Sequence, residues 1–288
     1  MSAILEIQGL VKEYKNSGFR LNGISFSIPK GTIMGFVGEN GAGKTTTIGC
    51  ILNTLIKDGG SVKILGKEMT DENTDIRNDI GVVYDTNVFP ENLTPAKISS
   101  AMRHIYPNWE EALFHEYLQK LRLPKNKKIK TFSRGMTMKL AIASALSHRP
   151  KLLVLDEATS GLDPIVRDEI LDIFLDFVQD ENNSILLSSH ITSDLEKIAD
   201  YITFIHDGSI IFSETKDVLK YSCGVMRCKA TQFDELDESD ILAYKKHDYQ
   251  IDVLVADKQA AAKKYRDIVI DNVTIEDIML LLVKGEQQ

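Results

Sequence analysis

A chain of 288 residues can hold one large domain or a domain with a small appendage. Its 43% hydrophobic and 26% charged content is that of a soluble globular protein, and a formal net charge of −8 argues against a nucleic-acid partner. The longest unbroken apolar run, Ile278–Val283, is too short to span a bilayer, and MSAILEIQGLVKEYK lacks the layout of a signal peptide. The expected compartment is therefore cytoplasmic, with Cys50, Cys223 and Cys228 as reduced, inert thiols.

The first elements read as strands. ILEIQGLVKEY and FRLNGISFSI alternate, and a turn at 29–31 leads into TIMGFVG, which is apolar on both faces like a buried central strand. GENGAGKTT follows at once and fits G-x-x-x-x-G-K-[ST] between that strand and a helix starting near Lys44. A Gly-rich turn can be merely structural, but this spacing suits a phosphate. Gly38, Glu39, Asn40, Gly41, Ala42 and Gly43 would turn backbone N–H groups inward. Lys44, Thr45 and Thr46 open the helix, so that Lys44 reaches the β and γ phosphates of a nucleotide and Thr45 offers a hydroxyl to Mg²⁺.

Short strands are expected at 62–65 and 80–84, the latter ending in Asp85. Helical patterns then take over from Thr94 to His148: TPAKISSAMRHIY, WEEALFHEYLQKLRL and MTMKLAIASALSH, with the basic KNKKIK as a solvated loop. Strands return with KLLVLDE, whose two terminal acids are costly without a metal or cationic partner. Asp156 is placed to hold Mg²⁺ through water, and Glu157 to orient or deprotonate an attacking water. Asp163 and Pro164 open a helix, SILLSSH is a strand, TSDLEKIAD a helix and YITFIHDGSIIFS a hairpin turning at Asp-Gly. The alternation predicts an α/β fold with a helical insertion at about 90–148. Beyond Glu214 come an acidic loop, FDELDESD, two strand-like runs and an amphipathic terminal helix, a small α+β appendage over 215–288.

TFSRGMTMKLAIASALSHRPKLLVLDEATSGLDP resembles the signature loop, Walker B strand and D-loop of an ABC-transporter ATPase subunit, and the likeness extends over residues 3 to about 215. The resemblance implies a P-loop NTPase fold: a RecA-like core with an antiparallel β subdomain and a helical subdomain, over 1–214. It implies ATP and Mg²⁺ as cofactors, transmembrane permease subunits as partners, and a peripheral position at the inner face of the membrane. It also implies a homodimer, or a heterodimer with a related cassette. Tyr14 matches the aromatic that stacks on adenine, and His190 the switch histidine that contacts the γ-phosphate and the region of Glu157. Ser133 and Gly135 match the signature residues that bind ATP held by the second cassette, and Asp163 the acid that crosses the dimer interface.

Three positions depart from the family. Arg134 and Met136 replace Gly and Gln in the signature, and Arg134 either adds a contact to phosphate or points to solvent. Asp85 stands where the family has a glutamine that touches Mg²⁺; it either ligates the metal, directly or through water, or is a loop residue that does not reach the metal. Phe89, Tyr106 and Trp109 are either permease contacts or core residues. The signature, Asp85 and the appendage together look like the bacterial exporters of drugs, antimicrobial peptides and phenol-soluble modulins. The alternatives are a soluble ABC ATPase acting on ribosomes or DNA, and a catalytically silent regulatory cassette.

Overall fold

The computed structural model describes residues 2–16 and 18–286. Met1, Ser17, Gln287 and Gln288, which fall within the expected ranges 1–214 and 215–288, lie outside the described residues. In chain order, β1 (Ala3–Tyr14), β2 (Phe19–Pro29) and β3 (Ile33–Val37) lead to α1 (Lys44–Ile51), β4 (Gly59–Ile64), β5 (Lys67–Glu68) and β6 (Ile80–Tyr84). The helical stretch is α2 (Pro95–Ile105), α3 (Glu111–Lys120) and α4 (Arg134–Leu146). Then come β7 (Leu152–Asp156), α5 (Pro164–Phe177), β8 (Ser184–Ser189), α6 (Thr192–Ile198), β9 (Tyr201–His206) and β10 (Ser209–Thr215). The remainder is α7 (Lys216–Ser222), β11 (Gly224–Cys228), α8 (Ala230–Phe233), β12 (Ala243–Lys246), β13 (Ile251–Val255), α9 (Lys258–Lys264), β14 (Val269–Asp271) and α10 (Ile275–Lys284).

The central sheet has the order β10-β9-β3-β8-β7-β6, parallel from β9 to β6, with β10 added antiparallel through the hairpin. Strands β3, β7 and β8 are buried along their whole length, which accounts for their unbroken apolar sequences. Side chains alternate between two cores: Met34 and Phe36 face one, Ile33 and Val37 the other. The first is closed by α1 and the antiparallel sheet β2-β1-β4-β5, where Phe26 stacks on Phe36 at 5.3 Å. The second takes in the helical stretch and α5 and α6.

The helical stretch is pinned by local chemistry. Thr94 caps α2 by accepting from the Lys97 N–H, with Pro95 at the first helical position. Trp109 donates its indole N–H to Ser99 Oγ at 3.2 Å, and Tyr106 stacks on His148 at 4.0 Å. Phe89 and Trp109 are buried in the core and Tyr106 packs against it, so of their two readings the structure favours the core one.

The segment after Thr215 is an antiparallel sheet, β12-β13-β11-β14, with helices. Val225, Ala243 and Leu254 on one face, with Ile278 and Leu281 of α10, belong to the same core as Leu195 and Ile198 of α6. Met226, Cys228, Val253 and Val255 on the other face form a small core of their own. The Ile275 N–H donates to Glu196 Oε1 at 2.8 Å, fixing the start of α10 to α6. Two acids of the run 233–240 are paired from α9, where Lys264 meets Asp237 and, at 2.7 Å, Asp240. The three cysteines are buried free thiols. Strands β5, β11 and β12 and helices α7, α8 and α9 add to the elements read from the sequence, and β4 starts at Gly59, ahead of the expected 62.

Candidate functional site

The phosphate loop leaves the C-terminal end of β3, the edge where open parallel sheets place their ligands. Gly43 has φ +116°, and a Cβ there would lie 2.8 Å from Leu21 and 2.9 Å from Phe19, so glycine is required on both counts. Gly208 of the β9–β10 turn donates its N–H to the Ala42 carbonyl at 3.0 Å and holds the loop from below. Lys44 is buried; its Nζ donates to the Gly38 carbonyl at 2.7 Å and the Glu39 carbonyl at 3.2 Å, so the ammonium spans the mouth of the loop. A groove of about 490 Å³ in front of it is lined by Tyr14, Phe19, Asn40, Gly41, Gly43, Lys44, Thr45, Thr46 and Glu157. Its volume and mixed lining suit a nucleotide.

Strand β7 and the residue after it supply the acids, and β8 supplies a partner for the first of them. Asp156 is buried, and burial pushes its carboxyl above the usual carboxylate range. Thr45 Oγ1 donates to Asp156 Oδ2 and Ser188 Oγ to Oδ1, each at 3.0 Å. A hydroxyl and a carboxylate held together at the start of α1 form a hard-oxygen pair of the kind that holds Mg²⁺ alongside water and phosphate.

Glu157 leaves the strand with φ +54°, an uncommon conformation for a non-glycine residue, while its N–H stays bonded to the Ser188 carbonyl at 3.0 Å. This turn aims the side chain over the phosphate loop. Oε2 lies 2.6 Å from His190 Nδ1, and Oε1, buried and with no hydrogen-bond partner, lies 3.4 Å from Lys44 Nζ. An oriented carboxylate with one oxygen left over, beside a lysine, is equipped to accept a proton from water.

The signature residues lie elsewhere. Ser133 Oγ caps α4 by accepting from the Met136 N–H at 3.3 Å, and Gly135 packs against Val166 of α5. Asp163 caps α5 through the Ile165 and Val166 N–H groups. None of these residues lines the groove at the phosphate loop. Asp85 lies just beyond β6, as the loop reading has it: its carboxylate accepts from Arg134 Nη2 at 2.6 Å, and it lines a groove with Arg134 and Phe89 that includes neither Thr45 nor Asp156. The ion pair with Arg134 is the side-chain partner the structure gives Asp85. Arg134 is about half exposed while bonded to Asp85, and it does not line the groove at the phosphate loop of its own chain.

Two residues at the site escaped the sequence reading. Phe19 pairs with Tyr14 across β1 and β2, their rings 6.4 Å apart, and shares the groove wall; its place opposite Tyr14 follows once the hairpin register is known. Ser188 was hidden because a serine near a strand end carries no signal of its own; its register opposite Asp156 provides the signal.

Residues 21–160 match the ABC transporter family. The bacitracin transport ATP-binding protein BcrA of Bacillus licheniformis is 34% identical over 76% of this chain and 72% of its own length. The lantibiotic transport ATP-binding protein SrtF of Streptococcus pyogenes is 36% identical over 74% of this chain and 92% of its own. The daunorubicin/doxorubicin resistance ATP-binding protein DrrA of Streptomyces peucetius is 33% identical over 76% and 68%. A solved ATP-binding subunit of an ABC transporter superposes with a TM-score of 0.67 at 27% identity, over 75% of this chain and 92% of that one. With the phosphate loop, the Asp156–Glu157 strand end and these likenesses in place, the chain belongs to the ABC transporter family, as an ATP-binding subunit that hydrolyses ATP.

Proposed function

We propose that this chain powers the export of peptide or drug-like antimicrobial compounds through transmembrane permease subunits at the inner face of the cell membrane. The relatives' named roles in bacitracin transport, lantibiotic transport and drug resistance support that reading. Among the described residues no helix is long and apolar enough to cross a membrane. The net charge of −8 supports a protein partner over a nucleic acid.

In the proposed site Tyr14 stacks on the adenine, while the N–H groups of residues 38–43 and Lys44 hold the phosphates. Thr45 and Asp156 would hold Mg²⁺, which neutralises charge developing on the phosphoryl oxygens when bound. Glu157 accepts a proton from water as the water oxygen bonds to the γ-phosphorus, and the bond to the bridging oxygen breaks to release ADP. His190 fixes Glu157 for that transfer. Ser133, Gly135 and Asp163 face a second cassette, so two chains would complete two sites and ATP would join them.

The observation that carries the hydrolytic assignment is the placement of Glu157 between His190 at 2.6 Å and Lys44 at 3.4 Å. Wild type and Glu157→Gln are compared for turnover and by gel filtration with ATP and Mg²⁺. The variant is expected to lose about 10²–10⁴-fold in turnover and to elute as an ATP-locked dimer. Turnover close to wild type would overturn the role of Glu157.

A further inference from the structure

Two of the departures from the family pattern, Asp85 and Arg134, are 49 residues apart in sequence and bonded to one another in the fold. Asp85 is the first residue beyond β6, the edge strand of the central sheet, and Arg134 is the first residue of α4. The guanidinium does more than meet the carboxylate. Gly161 lies in the loop between Glu157 and Asp163, and a Cβ added there would stand 2.9 Å from Arg134 Cζ and 3.0 Å from Nη1. Arg134 therefore lies flat against the backbone of that loop, a fit a lysine could not make. One side chain touches the loops that leave two adjacent strands, β6 and β7, and stands beside Ser133.

We propose that Asp85 and Arg134 are positioning residues for ATP hydrolysis: Asp85 holds the guanidinium against Gly161, and the resulting brace sets the first turn of α4 relative to the loop that follows Glu157. The inference rests on the reading of Ser133 and Gly135 as contacts to ATP on a second cassette. Three restraints then act on the turn 133–136. Ser133 caps it, Val166 packs 3.3 Å from the position of a Cβ on Gly135, and the Arg134 brace ties it to Asp85. With the carboxylate gone, a long cation next to the signature turn is free to leave Gly161, and the turn loses its tie to both loops. Both partners are about half exposed, at 52% for Arg134 and 47% for Asp85, so the pair contributes little to folding and its variants should fold. Its effect lies in geometry, to which catalysis is far more sensitive than stability.

The test compares Asp85→Asn, Arg134→Gln, the double variant and Asp85→Glu by steady-state ATPase kinetics, Mg²⁺ titration and amide hydrogen exchange without nucleotide. Each single variant is expected to lose about tenfold in kcat with KM for ATP within about twofold of wild type, because the phosphate loop is untouched. The double variant should be no slower than the slower single, and Asp85→Glu should recover most of the rate. The Mg²⁺ midpoint should stay at the wild-type value in every variant. Faster exchange is expected at residues 134–137 and 158–162 in both singles. Losses that multiply in the double variant would overturn the brace, as would a single variant with wild-type kcat. A Mg²⁺ midpoint that moves in Asp85→Asn alone would overturn it too and return Asp85 to the metal. Should wild type show no turnover, the hydrolytic reading fails by itself, and the exchange comparison still decides whether the brace exists.

Discussion

Strands β6 and β7 lie side by side, run parallel and each carry an acid at or just past the end, yet the two strand ends are chemically opposite. On β7, Asp156 is buried between two hydroxyl donors and Glu157 is held between a histidine and a lysine. On β6, Asp85 is half exposed and spent on an arginine. The difference arises from sheet position. β7 is flanked by β8, whose Ser188 and His190 supply partners, whereas β6 is the edge strand and finds its partner on α4. An acid in the interior of the sheet edge is available for chemistry with a ligand, and one at the margin is available to tie loops together.

The contrast is broken if the same substitution at both ends has the same effect. Asp156→Asn should lower turnover by about 10²-fold or more, since a Mg²⁺ ligand stabilises several kcal/mol of developing charge, and it should shift the Mg²⁺ midpoint. Asp85→Asn should cost far less and leave the midpoint alone. Equal losses and equal shifts in parallel titrations would mean that the two strand ends serve one site.

A smaller effect sharpens the picture of the interior end. Ser188→Ala leaves Asp156 Oδ1 buried without its donor, and should lower stability by about 1–3 kcal/mol in urea unfolding. Removing the hydroxyl of an exposed strand-end serine would cost almost nothing, so a null result would show Asp156 to be better hydrated than its burial suggests.

The smallest effect concerns the root of the marginal strand. His148 is buried under β6, with Nε2 bonded to the Ile80 carbonyl at 3.1 Å. Burial pulls its pKa below the ordinary 6.5. Because the folded pKa is the lower one, the stabilising contribution is present above 6.5 and is lost as pH falls through and below that value. His148→Gln, neutral throughout, should therefore lose less stability than wild type between neutral and mildly acidic pH, as followed by thermal unfolding. An identical acid slope in both proteins would remove His148 from the account.

The interior strand end was legible in the sequence and the marginal one was not. Lys44, Thr45, Asp156 and Glu157 announce themselves by fixed spacing or by acids closing an apolar run, signals that lie within a few residues of one another. Asp85 was visible as an anomaly, but its partner is 49 residues away, and no periodicity joins a strand end to a helix start. Ser188 and Phe19 are fixed by strand register, which only the assembled sheets provide. The same limit hid β11 and β12. GVMRC and AYKK are short, and they become strands through pairing with β13.

The core that Val225, Leu254 and Ile278 share with Leu195 and Ile198 has a consequence for how such a chain can change over generations. A segment joined through a solvated linker can be shuffled between genes without disturbing its neighbours. One that completes another region's apolar interior cannot, because a cut near residue 214 exposes the flank of α6, the helix that follows His190. Gain or loss of the terminal segment must then be accompanied by polar substitutions along α6, so its history should be readable in that helix.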